Sequence, residues 1–245
     1  MKFLVCISNV PDTTTKINFT NNDTLFNQTG VQYILNPYDE LSLARALELS
    51  ELDKSEITVI HVGELSSEPT IRKALALGAD QAIRINANPK DANFVAHQIA
   101  HFAKDNAFDI LFFGRESIDY NGAQVCGMVG EIMGIPSISI VKKLELREKK
   151  ALIEREIEGG KEILEVQIPF AISSTEGIAE PKIPNMRGIM SARTKPLLVF
   201  EPIFVTEKEK VLHYESPKPR GKVSLIASDE ANHLIDILHS EAKVI

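Results

Sequence analysis

Cysteine is scarce in this sequence: Cys6 and Cys126 are the whole complement, far apart and each flanked by apolar residues. Two such thiols make neither a disulfide framework nor a zinc cluster, which points to a reducing compartment. Both read as inert core thiols, since no histidine stands where it would activate either one. No stretch approaches the roughly 18 apolar residues of a membrane-spanning helix. The opening MKFLVCISNVPD has an apolar run of only about 5 residues, against the about 7–15 of a signal-peptide core, and no small-residue cleavage site follows. A cytoplasmic chain without a membrane span is expected. Basic runs are missing too: 27 lysines and arginines face 34 acidic residues, net −7, so nucleic acid is not an expected partner. There are no internal repeats and no low-complexity tract.

What remains is globular composition: 245 residues, 44% hydrophobic and 25% charged, enough to bury a substantial core without staples. Phe3–Ile7 is a continuous apolar run, the mark of a strand buried on both faces. Ile17–Thr20 and Val31–Leu35 are strand-like around the turn-rich Asn21-Asn22-Asp23, which predicts a hairpin excursion. Pro37 opens a helix that places Leu41, Ala44, Leu47 and Leu52 at helical spacing. Further strands are predicted at Ile57–Val62, Gln81–Ile85, Asp109–Phe113 and Ser137–Val141. Between them come a helix from Pro69 to Gly78, one capped by Asp91, and one over Ala123–Met133 closed by Gly134.

Strands alternating with helices of this length give βαβ units and a mostly parallel, doubly wound α/β sheet. After Val141 the pattern changes to Leu144–Leu146, Ala151–Ile157 and Glu162–Ile168, with Glu148-Lys149-Lys150 at a hairpin tip. These are expected as antiparallel strands on one edge. From Ser174 to about Lys222 periodicity fades, yet Ile178, Ile183, Met186, Ile189, Leu197, Leu198, Val199 and Phe200 make the stretch too apolar for disorder. It reads as an extended arm that lies on a partner. Asp229 is expected to cap a last amphipathic helix carrying Leu234, Ile235 and Leu238. The expected division is 1–174 for the nucleotide-binding domain and 175–245 for the partner-recognition loop and arm.

In open α/β sheets ligands bind beyond the carboxyl ends of the strands, where strand order reverses. Cys6–Asn9, Asn36–Asp39, Val62–Gly63 and the loop Gly114–Gln124 stand at such ends. The loop reads GRESIDYNGAQ and leads into a helix, whose free N–H groups and dipole favour a phosphate, with Ser117, Asn121 and Gln124 as side-chain donors. Gly114 and Asn121 are equally well read as turn formers. There is no GxxxxGK[ST] loop, no GxGxxG after the first strand and no SGG-type pyrophosphate loop, so a site that holds a nucleotide without cleaving it is expected. His97 and His101 have the spacing of a zinc pair but lack the intervening Glu and a third ligand, so a solvated or half-buried face is predicted and no metal. Asp12 and Asp119 read as turn or helix caps, and no catalytic residue is assigned.

Several ordered blocks resemble the electron transfer flavoprotein β subunit family. Asn36-Pro37-Tyr38-Asp39 is similar to its NP[FY][DE] motif, and Leu77-Gly78-Ala79-Asp80 to its [LM]GAD. Gly114-Arg115-Glu116-Ser117-Ile118-Asp119 with Ala123-Gln124-Val125 resembles G[RK][QE][AS]IDxDxxQ. Ala179-Glu180-Pro181-Lys182 and Gly188-Ile189-Met190-Ser191-Ala192-Arg193 resemble NEPRY…NIMKA[RK]. The blocks keep the family's order over nearly the whole chain.

The resemblance implies a heterodimer with an α subunit that carries most of the contacts to a redox FAD, while the β chain holds a structural AMP. Carried over, the cofactor pocket comprises Cys6, Asn36, Pro37, Tyr38, Asp39, Val62, Gly114, Arg115, Glu116, Ser117, Ile118, Asp119, Tyr120, Asn121, Gly122, Ala123, Gln124 and Val125. The docking segment for flavin-dependent dehydrogenases maps to Glu180–Met190, with Glu180, Pro181, Ile189, Met190 and the apolar anchor Met186, a flexible thioether. Four departures stand out. Asn121 replaces an acidic residue, Cys126 a glycine, Thr13 a tyrosine, and Met186-Arg187-Gly188 a Leu-Pro-Asn. Two alternatives remain at this point. One is an electron-bifurcating relative with a second FAD in place of AMP and NADH as donor. The other is a stand-alone ATP-binding or adenylating enzyme of similar fold.

Overall fold

The computed structural model describes residues 1–245 except Lys90, Arg220, Lys222 and Ser224; Lys222, the far end of the stretch read as irregular, thus lies outside the described residues. The strands before the first helix are β1 (Lys2–Cys6), β2 (Asn9–Pro11), β3 (Phe19–Thr20), β4 (Leu25–Phe26) and β5 (Tyr33–Leu35). Then follow α1 (Pro37–Asp53), β6 (Glu56–Val62), α2 (Glu68–Leu77), β7 (Gln81–Ile85), α3 (Ala92–Asn106) and β8 (Ile110–Gly114). After α4 (Val125–Met133) come β9 (Ser137–Arg147), β10 (Lys150–Ile157), β11 (Gly160–Gln167) and β12 (Phe170–Ser174). The chain closes with α5 (Met186–Ala192), β13 (Leu197–Phe200) and α6 (Ala231–Ser240).

Residues 1–17 and 27–212 form one compact unit. Its nine-stranded sheet has the order β11-β10-β9-β12-β8-β1-β6-β7-β13, and every pair from β9 to β13 is parallel. The continuous apolar runs are explained by helices on both faces. Phe3, Val5, Ile110 and Phe112 pack with Leu43, Leu47 and Ile71 of α1 and α2. Their sequence neighbours Leu4, Cys6, Leu111 and Phe113 pack with Phe94, Ile99 and Val129 of α3 and α4. Alternate residues thus serve opposite faces, as the strand period of 2 requires. Beyond β9 the strands turn antiparallel, as the sequence predicts.

Helix ends follow their local chemistry. Asp91 accepts a hydrogen bond from Phe94 N at 2.6 Å, and Gly134 closes α4 at φ 70°. Other expectations are corrected. Val31–Leu35 does not pair with the 17–20 segment: β5 pairs with β2, and the turn at Asn21-Asn22-Asp23 joins β3 to β4. The three turn residues all have positive φ, near 55–59°, and each strand they join is two residues long. Leu52 is 84% exposed, because Leu43 and Leu49 rather than Leu52 complete the buried face of α1. Helix α4 starts at Val125, since Asn121 and Ala123 both have φ 51° and cannot join a right-handed helix.

The stretch after Ser174 is less irregular than expected. It contains the helix α5 and the strand β13, which pairs with β7 through Leu197↔Ala82 to Phe200↔Ile85. Leu197–Phe200 therefore extends this chain's own sheet. Residues 203–209 are fastened to α3 by side chains: Gln98 exchanges two bonds with the backbone of Ile203 at 2.9 Å, and Asp91 accepts from Glu209 N at 3.0 Å.

Residues 18–26 and 213–245 form a second unit. The Phe19 ring stacks on Tyr214 at 4.6 Å between centroids. Asp229 lies in a short 3-10 turn, Ser228–Glu230, and Glu230 occupies the cap position of α6 without a side-chain cap bond. The expected cap by Asp229 is thus displaced by one extra helical turn. No described residue of α6 is buried, and Ile235 is 55% exposed.

Candidate functional site at the carboxyl edge of the sheet

Strand order reverses between β1 and β8: β6 and β7 continue on one side, β12 and β9 on the other. The chain connections leave in opposite directions here, which opens the crevice where ligands of such folds bind. The first turn of α1 fills the base of that crevice. Asn36 is fully buried; its Nδ2 donates to the Glu116 carbonyl at 2.9 Å, and its Oδ1 accepts from Ile118 N at 3.3 Å. One turn on, Asp39 is 3% exposed and accepts from Ser8 N at 2.7 Å and from Gly114 N at 2.9 Å. A β-carbon on Gly114 would stand 2.3 Å from Asp39 Oδ1, so this approach requires glycine. Ser42 Oγ donates to the Phe113 carbonyl at 2.5 Å, and Arg115 N to the Ser174 carbonyl at 2.8 Å.

Electrostatics follow burial. Burial lifts the Asp39 carboxyl to about 7, against the lowering effect of the Ser8 and Gly114 N–H groups. Burial pushes the Cys126 thiol up to about 12, and that of Cys6 well above its ordinary value, with Asp39 and Cys126 adding to the effect. Both cysteines pack in the core on the α3–α4 side.

The loop that begins at Gly114 is half-buried as far as Ile118 and exposed from Asp119 to Gln124. Asn121 N donates to the Ser117 carbonyl at 2.8 Å, and Tyr120 N to Asp119 Oδ1 at 3.0 Å. Tyr120 is 67% exposed. Gln124 occupies the cap position of α4 and makes no side-chain cap bond, so no side chain of its own closes the helix start. Arg115 and Glu116 form a loose pair at 4.0 Å.

Of the expected pocket residues, Asn36 and Asp39 are bonded to Gly114, Glu116 and Ile118, with Arg115 and Ser117 between them in the loop and Cys6 at the end of the adjoining β1. Pro37 is exposed, Tyr38 half-buried with its Cβ close to Gly114, and Val125 half-buried against the core. Val62 ends β6, and its side chain belongs to the core. Asp119, Tyr120, Asn121, Gly122, Ala123 and Gln124 form the exposed rim.

Sequence reasoning passed over a buried polar group at the ends of β6 and β7. Arg84, 4% exposed, donates to the Gly63 carbonyl at 3.0 Å and to Asn86 Oδ1 at 2.8 Å, with Glu68 at 3.3 Å. In register beside it, His61 Nδ1 lies 2.8 Å from the Ile7 carbonyl and therefore carries the proton. Burial and the neighbouring Arg84 hold this imidazole below its ordinary pKa, despite the bond to Ile7. The signal was an arginine inside the otherwise apolar Ala82–Ile85 strand.

The expected docking segment forms a second constellation. Glu180 and Pro181 are exposed. Asn185 caps α5 by accepting from Gly188 N at 2.8 Å. The helix turns Met186 (73% exposed) and Met190 (66%) outward, with Ile189 (41%) beside an open groove of about 520 Å³ that Pro69, Lys73 and Ala76 of α2 also line. Two cations tie it down from opposite sides. Arg72 Nη1 donates to the carbonyls of Ala192 and Lys195, each at 2.8 Å, and Lys195 Nζ returns to Ala79 O at 2.6 Å.

Fold and site define an open, doubly wound α/β protein with its candidate site at the carboxyl edge. Residues 23–204 match the family model described as the electron transfer flavoprotein domain. The electron transfer flavoprotein subunit beta of Bacillus subtilis is 33% identical over 230 residues, covering 88% of this chain and 90% of that one. That of Syntrophomonas wolfei is 33% identical over 223 residues (90% and 88%), and that of Homo sapiens 28% over 230 residues (90% of each). This chain belongs to the electron transfer flavoprotein β subunit family, whose members are electron-transfer proteins. No described helix is long and apolar enough to cross a membrane.

Proposed function

We propose that this chain is the β subunit of a heterodimeric electron carrier of the cytoplasm. It holds AMP at the crevice between β1 and β8, and its α subunit shares the redox FAD. The single observation that carries the nucleotide reading is the cradle made by Asn36, Asp39 and Gly114: the loop is held open at its base while its rim and the uncapped start of α4 remain available. An uncapped helix start offers N–H groups and a positive dipole end to a phosphate. Positive φ at Asn121 and Ala123 turns the rim without side-chain bulk at Gly122. Bound FAD supplies the redox chemistry. The residues of this chain bind, orient and dock, and none is assigned a bond-breaking role.

Docking to flavin-dependent dehydrogenases falls to Glu180, Pro181, Met186, Ile189 and Met190. The support is the outward apolar face of α5 on a firmly tied helix. The test is to co-express the chain with its candidate α subunit, denature the purified complex and chromatograph what is released. One FAD and one AMP per heterodimer is the expected result. Two FAD would replace it with the electron-bifurcating form, and release of no nucleotide beyond FAD would end the pocket reading.

A further inference from the structure

We infer that Asp39 is a positioning residue, a buried strap that joins the end of β1 to the start of the Gly114 loop and so shapes the nucleotide crevice without touching the nucleotide. The inference rests on the nucleotide reading above.

The ladder between β1 and β8 runs Phe3↔Ile110, Leu4↔Leu111 and Val5↔Phe112, then stops. Beyond it the two strand ends part, as they must where the connections leave in opposite directions. Ser8 and Gly114 lie past the last rung, and their N–H groups both end on one carboxylate, at 2.7 and 2.9 Å. Asp39 therefore closes the base of the opening that the ladder leaves. Asn36 acts one turn earlier on the same face of α1. Together the pair bond Gly114 N, Glu116 O and Ile118 N, every second residue, as a neighbouring strand would. The first turn of α1 thus substitutes for a missing strand. Gly114 completes the arrangement, since a β-carbon there would occupy the place of Asp39 Oδ1.

The strap carries charge at a site where folding does not favour it. Among the described residues no lysine or arginine pairs with Asp39, and burial raises its pKa from 3.8 to about 7. The other titratable groups of the cradle are Cys6 on β1, its thiol held protonated by burial, Tyr38 on α1, and the Arg115–Glu116 pair on the loop. A carboxyl whose folded pKa is raised costs folding stability as pH climbs from its unfolded value toward about 7. Ionisation has the opposite effect on the strap: both oxygens become acceptors for the two N–H groups, whereas the protonated form loses one of them. Folding and crevice geometry therefore respond to pH in opposite directions.

The test is AMP binding to the nucleotide-stripped heterodimer, wild type and Asp39→Asn, at pH 6 and pH 8. The variant imitates the protonated strap, and the titration of the AMP phosphate divides out of the ratio. The expected result is binding about tenfold weaker for the variant at pH 8, the worth of one charge-assisted hydrogen bond, and near-equal binding at pH 6. Asn36→Ala guards against a variant that fails to fold: it should weaken AMP while keeping the pH dependence of the wild type. Equal affinities of wild type and Asp39→Asn at pH 8, or a ratio unchanged between the two pH values, would overturn the strap and leave the nucleotide reading intact. Failure of the stripped wild type to take up AMP at either pH would overturn the nucleotide reading, and the strap with it.

Discussion

Gly188 of α5 meets Ala76 of α2 so closely that a β-carbon on the glycine would stand 2.3 Å from the Ala76 carbonyl oxygen. That contact sets the seat of the exposed methionines. Backbone cannot yield as a flexible side chain can, so Gly188→Ala must push α5 outward. The bonds from Arg72 to Ala192 and Lys195 would stretch with it. The proposed docking role therefore predicts slower electron transfer from a flavin-dependent dehydrogenase with unchanged nucleotide content, read by stopped-flow flavin reduction. Unchanged rates would show that the seat of α5 is immaterial to docking.

Met186 projects from the same helix and is 73% exposed. Its removal leaves no cavity in this chain, so Met186→Ala should alter stability by no more than about 0.5 kcal/mol. The proposed docking role predicts a lower transfer rate from the dehydrogenase and normal flavin content. Equal rates in mutant and wild type would remove Met186 from the docking surface.

Asp91 has two tasks: it caps α3 through Phe94 N, and it receives the backbone N–H groups of Lys208 and Glu209. Its slight burial raises the carboxyl pKa, but the bonds from Lys208, Phe94 and Glu209 outweigh that and hold it below the usual range. A depressed folded pKa means the contribution is present above the unfolded value and is lost as pH falls through the folded one. Protection of residues 203–209 from hydrogen exchange, taken relative to the intrinsic rate at each pH, should therefore fall below about pH 4, where unfolded aspartate titrates. Gln98→Ala should lower it at neutral pH by deleting both bonds to Ile203.

Cys6 and Cys126 are buried, with 5% and 7% exposure, and burial holds both thiols protonated at neutral pH. A thiol must ionise to attack an alkylating reagent. Iodoacetamide at pH 8 should label neither residue in the native protein and both after denaturation, as counted by mass spectrometry. Rapid native labelling of Cys6 would place it on an open pocket wall.

The amino-acid sequence by itself determined the layered α/β architecture. Continuous apolar runs such as Phe3–Ile7 only make sense between two layers of helices, and local chemistry set helix ends at Gly78, Asp91 and Gly134. It also placed the candidate site, because Asn36–Asp39 and the Gly114 loop both follow strand ends. What only the tertiary structure decided depends on distant partners. The strand β12 lies between β8 and β9, and β13 beside β7, although nothing local names those neighbours. Parallel strands are paired by crossovers, and their register is settled by packing rather than by a turn. Helix α5 spans only seven residues, too few to stand alone, and exists because Asn185 caps it and Gly188 and Ala192 pack inward. The motif that contains Asp39 was legible from the sequence. Its two bonds to backbone N–H groups were not, because Ser8 and Gly114 lie 31 and 75 residues away and meet only where the sheet parts.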